Sequence, residues 1–377
     1  MADDGCGQVN FEFSAEQVQL REQVRRFLDQ HSSSAAVRAV LDGPPPYDAG
    51  LWSGLADMGL LGIVIPEAFG GLGLSYLELC VVAEELGRAL APVPFSSSVY
   101  LATEFLLATG SESQKRAWLP RMASGDAIGC LALVEGPGPI RAGSVKAQVR
   151  NGRLSGTKIP VADGDVADFA IVAAQASEGL SLFLVDLAAP GTTRETVSTI
   201  DPSRSHARIT FDGAVAEPLG PAGHGWPIIE DVFDKAAVLI AFEQLGGADK
   251  ALEMAVAYAR ERMAFGRPIG SFQAIKHMLA DMYVSAALAR ANCYYGAWAL
   301  STGAAELSQA AATARVSATQ AYQHCAKNDI QVHGGMGFTW DLDCHLHYRR
   351  SNLLALSLGS LSQWEDRLVD CLKGAVA

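Results

Sequence analysis

Two stretches late in the chain hold residue types that can do chemistry together. One, 259–282, reads "ARERMAFGRPIGSFQAIKHMLADM"; the other, 331–340, reads "QVHGGMGFTW". Gly334, Gly335 and Gly337 fall within four positions, and bare backbone of that kind lets a ligand approach N–H donors closely. Arg262 offers a planar, forked donor suited to phosphate oxygens, and Gln331 can add hydrogen bonds. The chemistry indicated is the holding of a phosphate-bearing ligand. A helix-ending turn with tight packing is the other reading of the same glycines.

Other tempting residues read more plainly. His345 and His347 alternate with Asp341, Asp343 and Cys344. That spacing can serve a metal on a strand or loop, but a solvated turn before the last helix explains it as well, and no metal is expected. Arg349 and Arg350 read as salt-bridge formers. Cys130 lies on an apolar run without a nearby histidine, so it does not read as a nucleophile. The seven cysteines are scattered and form no CxxC pair. They read as reduced thiols of a cytoplasmic protein, mostly small core residues.

The elements that must position these residues fall into three blocks. With 377 residues, 49% of them hydrophobic and 19% charged, the chain can bury more than one core. Its formal charge of −12 offers no footprint for nucleic acid or an anionic membrane. No apolar run approaches the roughly 20 residues of a membrane span, and the opening "MADDGCGQVNFEF" lacks the basic-then-apolar pattern of a signal peptide. Residues 1–125 read as a helical domain, opening with the S-x-x-Q capping box of Ser14 and Gln17; "SSSAAVRAVLDGPPPYD" reads as a loop or frayed segment. Short β-rich runs, with "RNGR" as a hairpin turn, make 126–222 a small β-sandwich or barrel. Long alanine-rich helices at about 227–263, 271–303, 305–334 and 348–375 make 223–377 a helical bundle, best read as four helices. Helices, then strands, then helices is an α+β architecture.

Taken together, R-x-x-F-G-x-P-I-x-x-F-Q-x-x-K followed by Q-x-H-G-G-x-G resembles the acyl-CoA dehydrogenase family. "FSAEQVQLREQVRRFL", "GLLGIVIPEAFGGLG" and "SGTK" agree with it, so the resemblance spans essentially the whole chain. It implies FAD, with Arg262, Phe265, Gln273, Gln331, Val332, His333, Gly334 and Gly335 as cofactor-binding residues, and Phe265 and Gln273 toward the adenine and ribose half. It also implies oxidation of an acyl-CoA thioester, with an electron-transfer flavoprotein as acceptor. In this family the ADP half of each flavin is held by a neighbouring subunit, so an oligomer is implied.

Against that pattern the chain departs at several places. Leu358 stands where a glutamate base is frequent, and Ala236 where some members carry it instead. Ala237 replaces a common arginine, Val134 a threonine, Pro160 an aromatic and Ala162 a hydroxyl. Glu243, seven residues beyond Ala236 and so on roughly the same helical face, is the remaining acid that could abstract a proton from among apolar neighbours; the alternative for it is an ion pair at a subunit contact. The departures imply a chain that lends its ADP-binding half to a paralogous partner in a hetero-oligomer. Bacterial α2β2 members that act on CoA thioesters of steroid side chains are the model, and "EELGRALAPVPFSSS" resembles that subgroup. A self-sufficient homo-oligomer using Glu243 and a non-catalytic acyl-CoA-binding or scaffold protein are the alternatives.

Overall fold

The computed structural model describes residues 14–376; the opening stretch and Cys6 lie outside the described residues. Helix α1 (Ala15–His31) starts at the expected box, Ser14 and Gln17 exchanging backbone-to-side-chain bonds of 2.9 and 3.2 Å. These satisfy donors that a helix start leaves free. The segment read as a loop contains α2 (Ser34–Leu41), capped by Ser33 and burying Val37, Val40 and Leu41. Its apolar stripe, packed against the fold, outweighs the serine-rich start. After α3 (Ala49–Asp57) and α4 (Tyr76–Arg88), a π-helical segment at Ser96–Thr103 leads into α5 (Glu104–Thr109), and α6 (Glu112–Ala123) follows.

The strands are β1 (Gly129–Ala132), β2 (Gln148–Arg150), β3 (Arg153–Ala162), β4 (Phe169–Ala176), β5 (Gly179–Asp186), β6 (Thr192–Thr196), β7 (His206–Val215) and β8 (Glu217–Leu219). They join one eight-stranded sheet in the order β6-β7-β3-β2-β4-β5-β8, with β1 parallel to β4. The β2–β3 turn is the expected one: Asn151 and Gly152 have φ of 52° and 71°, and Arg150 pairs with Arg153.

Three long helices follow: α7 (Gly225–Glu261), α8 (Gln273–Thr302) and α9 (Leu307–His333). Between α7 and α8 a small hairpin pairs β9 (Met263–Ala264) with β10 (Arg267–Pro268). The last helix predicted from sequence is two, α10 (Cys344–Leu356) and α11 (Leu361–Val376). They part where Leu358 and Gly359 take φ of 59° and 105°, values that no right-handed helix accommodates.

Helices α4 and α7 cross at glycines. A Cβ on Gly87 would sit 1.8 Å from the Glu243 carbonyl, and one on Gly246 would sit 1.8 Å from that of Glu84. This close crossing ties the N-terminal helices to the bundle and fixes the backbone that carries Glu243.

Candidate functional site

The two motif-bearing segments meet at one end of the bundle. Tyr258 on α7 packs on His333 at the end of α9, ring centroids 4.1 Å apart. One turn beyond Tyr258, Arg262 is exposed, with no side-chain hydrogen bond or ion pair among the described residues. Phe265 forms the tip of the hairpin at φ 50° and is 95% exposed. An aromatic side chain left in water on a left-handed backbone is unfavourable twice over. Gln273 and Gln331 are exposed as well.

The glycines divide between the two readings of the loop. Gly334 ends α9 at φ 61°, and a Cβ on it or on Gly335 would meet nothing within 4 Å. Space for a ligand exists there. Gly337 instead serves packing, since its Cβ would lie 2.4 Å from the Ile330 carbonyl. Val332 and His333 turn their side chains inward, so only their backbone remains for a ligand. The His333 ring lies 3.0 Å from an Asp329 carboxylate oxygen. Burial opposes its charge, but the bonds to Asp329 raise its pKa above the usual histidine value.

The alternating His/Asp/Cys segment does not converge on a point. His345 stacks on Trp340 and lies 3.2 Å from Arg38, while His347 is buried against the Tyr322 hydroxyl at 3.0 Å. Cys344 faces Asp329 and His333, the three ligand-type atoms within 4.8 Å of one another. Arg350 is fully buried in the ion pairs expected of it, 2.6 Å from Asp201.

A second region lies inside, where the sheet faces the bundle. A cavity of about 610 Å³ is walled there by β-layer, α7 and α10 residues. Val134, Pro160, Ala162 and Leu358, from three separate stretches of the chain, all line it. No carboxylate does so among the described residues. Phe233 and Ile240 are the α7 residues that reach it, while Ala236 is fully buried and outside the wall. The bend at Leu358 is held by Arg315, which donates to the carbonyls of Leu354 and Ser357, and by the Trp364 indole, 3.1 Å from the Leu358 carbonyl.

Two family models match the chain: "Acyl-CoA dehydrogenase, N-terminal domain" over residues 14–126 and "Acyl-CoA dehydrogenase, C-terminal domain" over 223–361. The chain belongs to the acyl-CoA dehydrogenase family. It is 36% identical over 342 residues to acyl-CoA dehydrogenase IpdE2 of Mycobacterium tuberculosis (strain ATCC 25618 / H37Rv), covering 89% of this chain and 91% of that one. Among solved structures it is similar to a variant of the Tcur3481-Tcur3483 steroid ACAD, with 33% identity, TM-score 0.87, and 96% and 99% of the two chains covered. It is also similar to the ChsE4-ChsE5 complex from Mycobacterium tuberculosis, with 30% identity, TM-score 0.86, and 97% and 99% covered.

An acyl-CoA dehydrogenase is flavin-dependent, and the residues here fit a flavin dinucleotide by halves. The diphosphate half has a free guanidinium, two amide side chains and an open glycine turn. The ring half is not matched by donors here: Val134, Pro160 and Ala162, which line the cavity, offer no side-chain hydrogen-bonding group. Lys158, next to them, is spent on structure. Fully buried, it donates to Glu135 at 2.7 Å and to the carbonyls of Leu133 and Ala173 at 3.1 and 2.7 Å. Burial pushes its pKa down, and Glu135 partly restores it.

Glu243, the acid singled out from sequence, is only 3% exposed and is not in the cavity wall. Its carboxylate lies 3.4 Å from Arg204 and 3.7 Å from Arg350. Arg204 also reaches Asp163 at 3.6 Å, and Arg350 reaches Asp201. The result is an alternating buried network joining the 201–205 loop, α7 and α10. Its arginines and Asp201 carried no periodic or motif signal toward Glu243, because their partners are distant in sequence. The ion-pair alternative held open for Glu243 is thus realised, but within the chain.

Proposed function

We propose that this chain is the FAD-contributing subunit of a hetero-oligomeric acyl-CoA dehydrogenase. It lends Arg262, Phe265, Gln273, Gln331 and the Gly334–Gly335 turn to the ADP half of a flavin whose ring lies in a paralogous partner. The partner supplies the ring pocket and the carboxylate that removes a proton alpha to the CoA thioester. Bound flavin supplies the hydride acceptor, and an electron-transfer flavoprotein takes the electrons onward. The substrate class we favour is a CoA thioester of a steroid side chain, on the strength of the steroid ACAD and ChsE4-ChsE5 likenesses.

One observation carries this reading: donors for a diphosphate stand exposed and unspent at one end of the bundle, while no carboxylate among the described residues lines the cavity. The apolar surface around those donors supports a chain–chain boundary. Phe265, Phe338 and Trp340 are 95%, 81% and 48% exposed, and Tyr283, Val284 and Leu288 of α8 add a further exposed stripe. Exposed apolar groups in such number mark an association surface.

The role of Glu243 as a base is disfavoured by its two guanidinium partners and by its absence from the cavity wall. Co-purification tests the reading: the chain expressed alone should be colourless, and co-expression with an adjacent paralogue should give a yellow, active complex. A yellow, active assembly of this chain alone would overturn it.

A further inference from the structure

Most of the cavity wall is apolar; on the α9–α10 side Gln323, Asn352 and Ser357 are polar but hydrogen-bond within the chain, and the β6–β7 connection forms a second polar end. Val197 donates to the His206 carbonyl at 2.7 Å, so Thr199, two residues on, and His206 stand at the same end of that hairpin. Both line the cavity. The Thr199 hydroxyl is buried and has no hydrogen-bond partner among the described residues, an unfavourable state for a polar group away from water. The His206 ring places Nδ1 3.2 Å from the Arg204 carbonyl. A carbonyl accepts only, so Nδ1 carries the proton and neutral His206 offers Nε2 as an acceptor. No hydrogen bond reaches Nε2 among the described residues. Burial lowers the pKa of the ring, which favours this neutral form.

We propose that this cavity is a binding site for an apolar alcohol, a bulky hydrocarbon body whose single hydroxyl donates to His206 Nε2 and accepts from Thr199 Oγ1. The pairing is directional. A ketone or an ether can accept from Thr199, but neither can donate to Nε2. The volume of about 610 Å³ is within the range of small-molecule sites, and the remaining wall, including Leu131, Leu133, Ile240 and Leu358, suits a hydrocarbon body. Other polar groups at the same end are already engaged: Ser97 donates to Asp163, and Ser96 accepts from Arg204. The inference rests on the reading above in one respect, that no flavin ring fills this cavity.

The test is calorimetric titration of the purified chain, and of its yellow complex, with cyclododecanol, its methyl ether and cyclododecanone. The alcohol should bind about tenfold more tightly than either analogue, the effect of one buried hydrogen bond. His206→Phe should bring the three affinities together, Thr199→Val should weaken all three while leaving the alcohol preference, and Ile240→Trp, which fills the cavity, should abolish binding of all three. Equal affinities for the three probes in the native chain, or an alcohol preference that survives His206→Phe, would overturn the proposal. So would binding unaffected by Ile240→Trp in a variant whose melting is unchanged. Flavin content separates the two proposals. One flavin per chain in the solitary protein defeats the hetero-oligomer reading; a colourless chain with no alcohol preference defeats only this one.

Discussion

The end of the bundle and the interior cavity make an instructive pair. In the proposed reading both belong to the nucleotide and substrate machinery, one with donors left free for contact and the other without a carboxylate among its described lining residues. At the bundle end, Arg262, Gln273 and Gln331 are exposed and Phe265 is held out on a strained hairpin tip. Beyond the cavity wall, Glu243 is tied to two arginines, and a leucine lines the cavity where the sequence comparison expects the base. Unspent donors point to a partner. Spent charges point to stability. A single fold can thus keep half of a shared site while the other half turns to holding the structure together.

Breaking the charge network should produce the largest effect. Glu243→Gln leaves Arg204 and Arg350 short of a counter-charge in a buried setting, which should cost on the order of 3 kcal/mol of stability by denaturant unfolding. Turnover per folded complex should change little, whereas general-base removal costs about 10²-fold or more. A large fall in turnover with normal stability would reverse the assignment of Glu243. At the bundle end the reverse pattern is expected: Arg262→Ala should weaken flavin retention by the complex about 10- to 100-fold, through loss of charge-assisted hydrogen bonds, with melting of the solitary chain unchanged. Lysine at the same position should rescue only part of the loss, because it lacks the fork.

The glycine turn sharpens the contrast further. Gly337→Ala should destabilise the chain by about 1–3 kcal/mol through overpacking against Ile330. Gly335→Ala, which enters open space, should leave stability within about 0.5 kcal/mol while lowering flavin content in the complex. Leu358→Glu restores a carboxylate at the cavity but not the ring-flanking groups, so the solitary variant should still fail to oxidise acyl-CoA in a dye-reduction assay.

The smallest effect is a pH response. Burial pushes the His347 pKa down to about 3 from an unfolded value of 6.5. The unfolded chain therefore binds the extra proton first, so this group's contribution to stability is intact above pH 6.5 and is lost as pH falls toward 3. Urea titrations of the native chain and His347→Gln should diverge over that window, with the variant less sensitive to acid.

Much of the fold was legible because its signals are local. The capping box at Ser14 and Gln17, the Asn151–Gly152 turn and the long alanine-rich periods each depend on residues close in sequence. The split of the last helix was missed because Leu358 in a left-handed conformation is imposed by Arg315 and Trp364, one of them distant in the chain. The helix at Ser34–Leu41 was missed because its composition reads as a loop until its apolar face finds a neighbour. The motif residues proposed for the cradle come from type and spacing; the structure brings their segments to one end of the bundle and leaves Gly334 and Gly335 facing open space. Val332 and His333 show the limit of a motif, since neighbouring positions on a helix point to different surroundings. Thr199, His206 and the partners of Glu243 were not found, because a cavity wall and a buried charge network are assembled from segments that carry no common pattern.

The most direct test is flavin stoichiometry, read from visible absorbance and subunit mass, on the chain alone and on the co-expressed complex. The expected result is no bound flavin on the solitary chain and one flavin for each pair of unlike chains in the complex. One flavin on every chain of a homo-oligomer, or a complex that keeps its flavin when Arg262 is replaced by alanine, would contradict it.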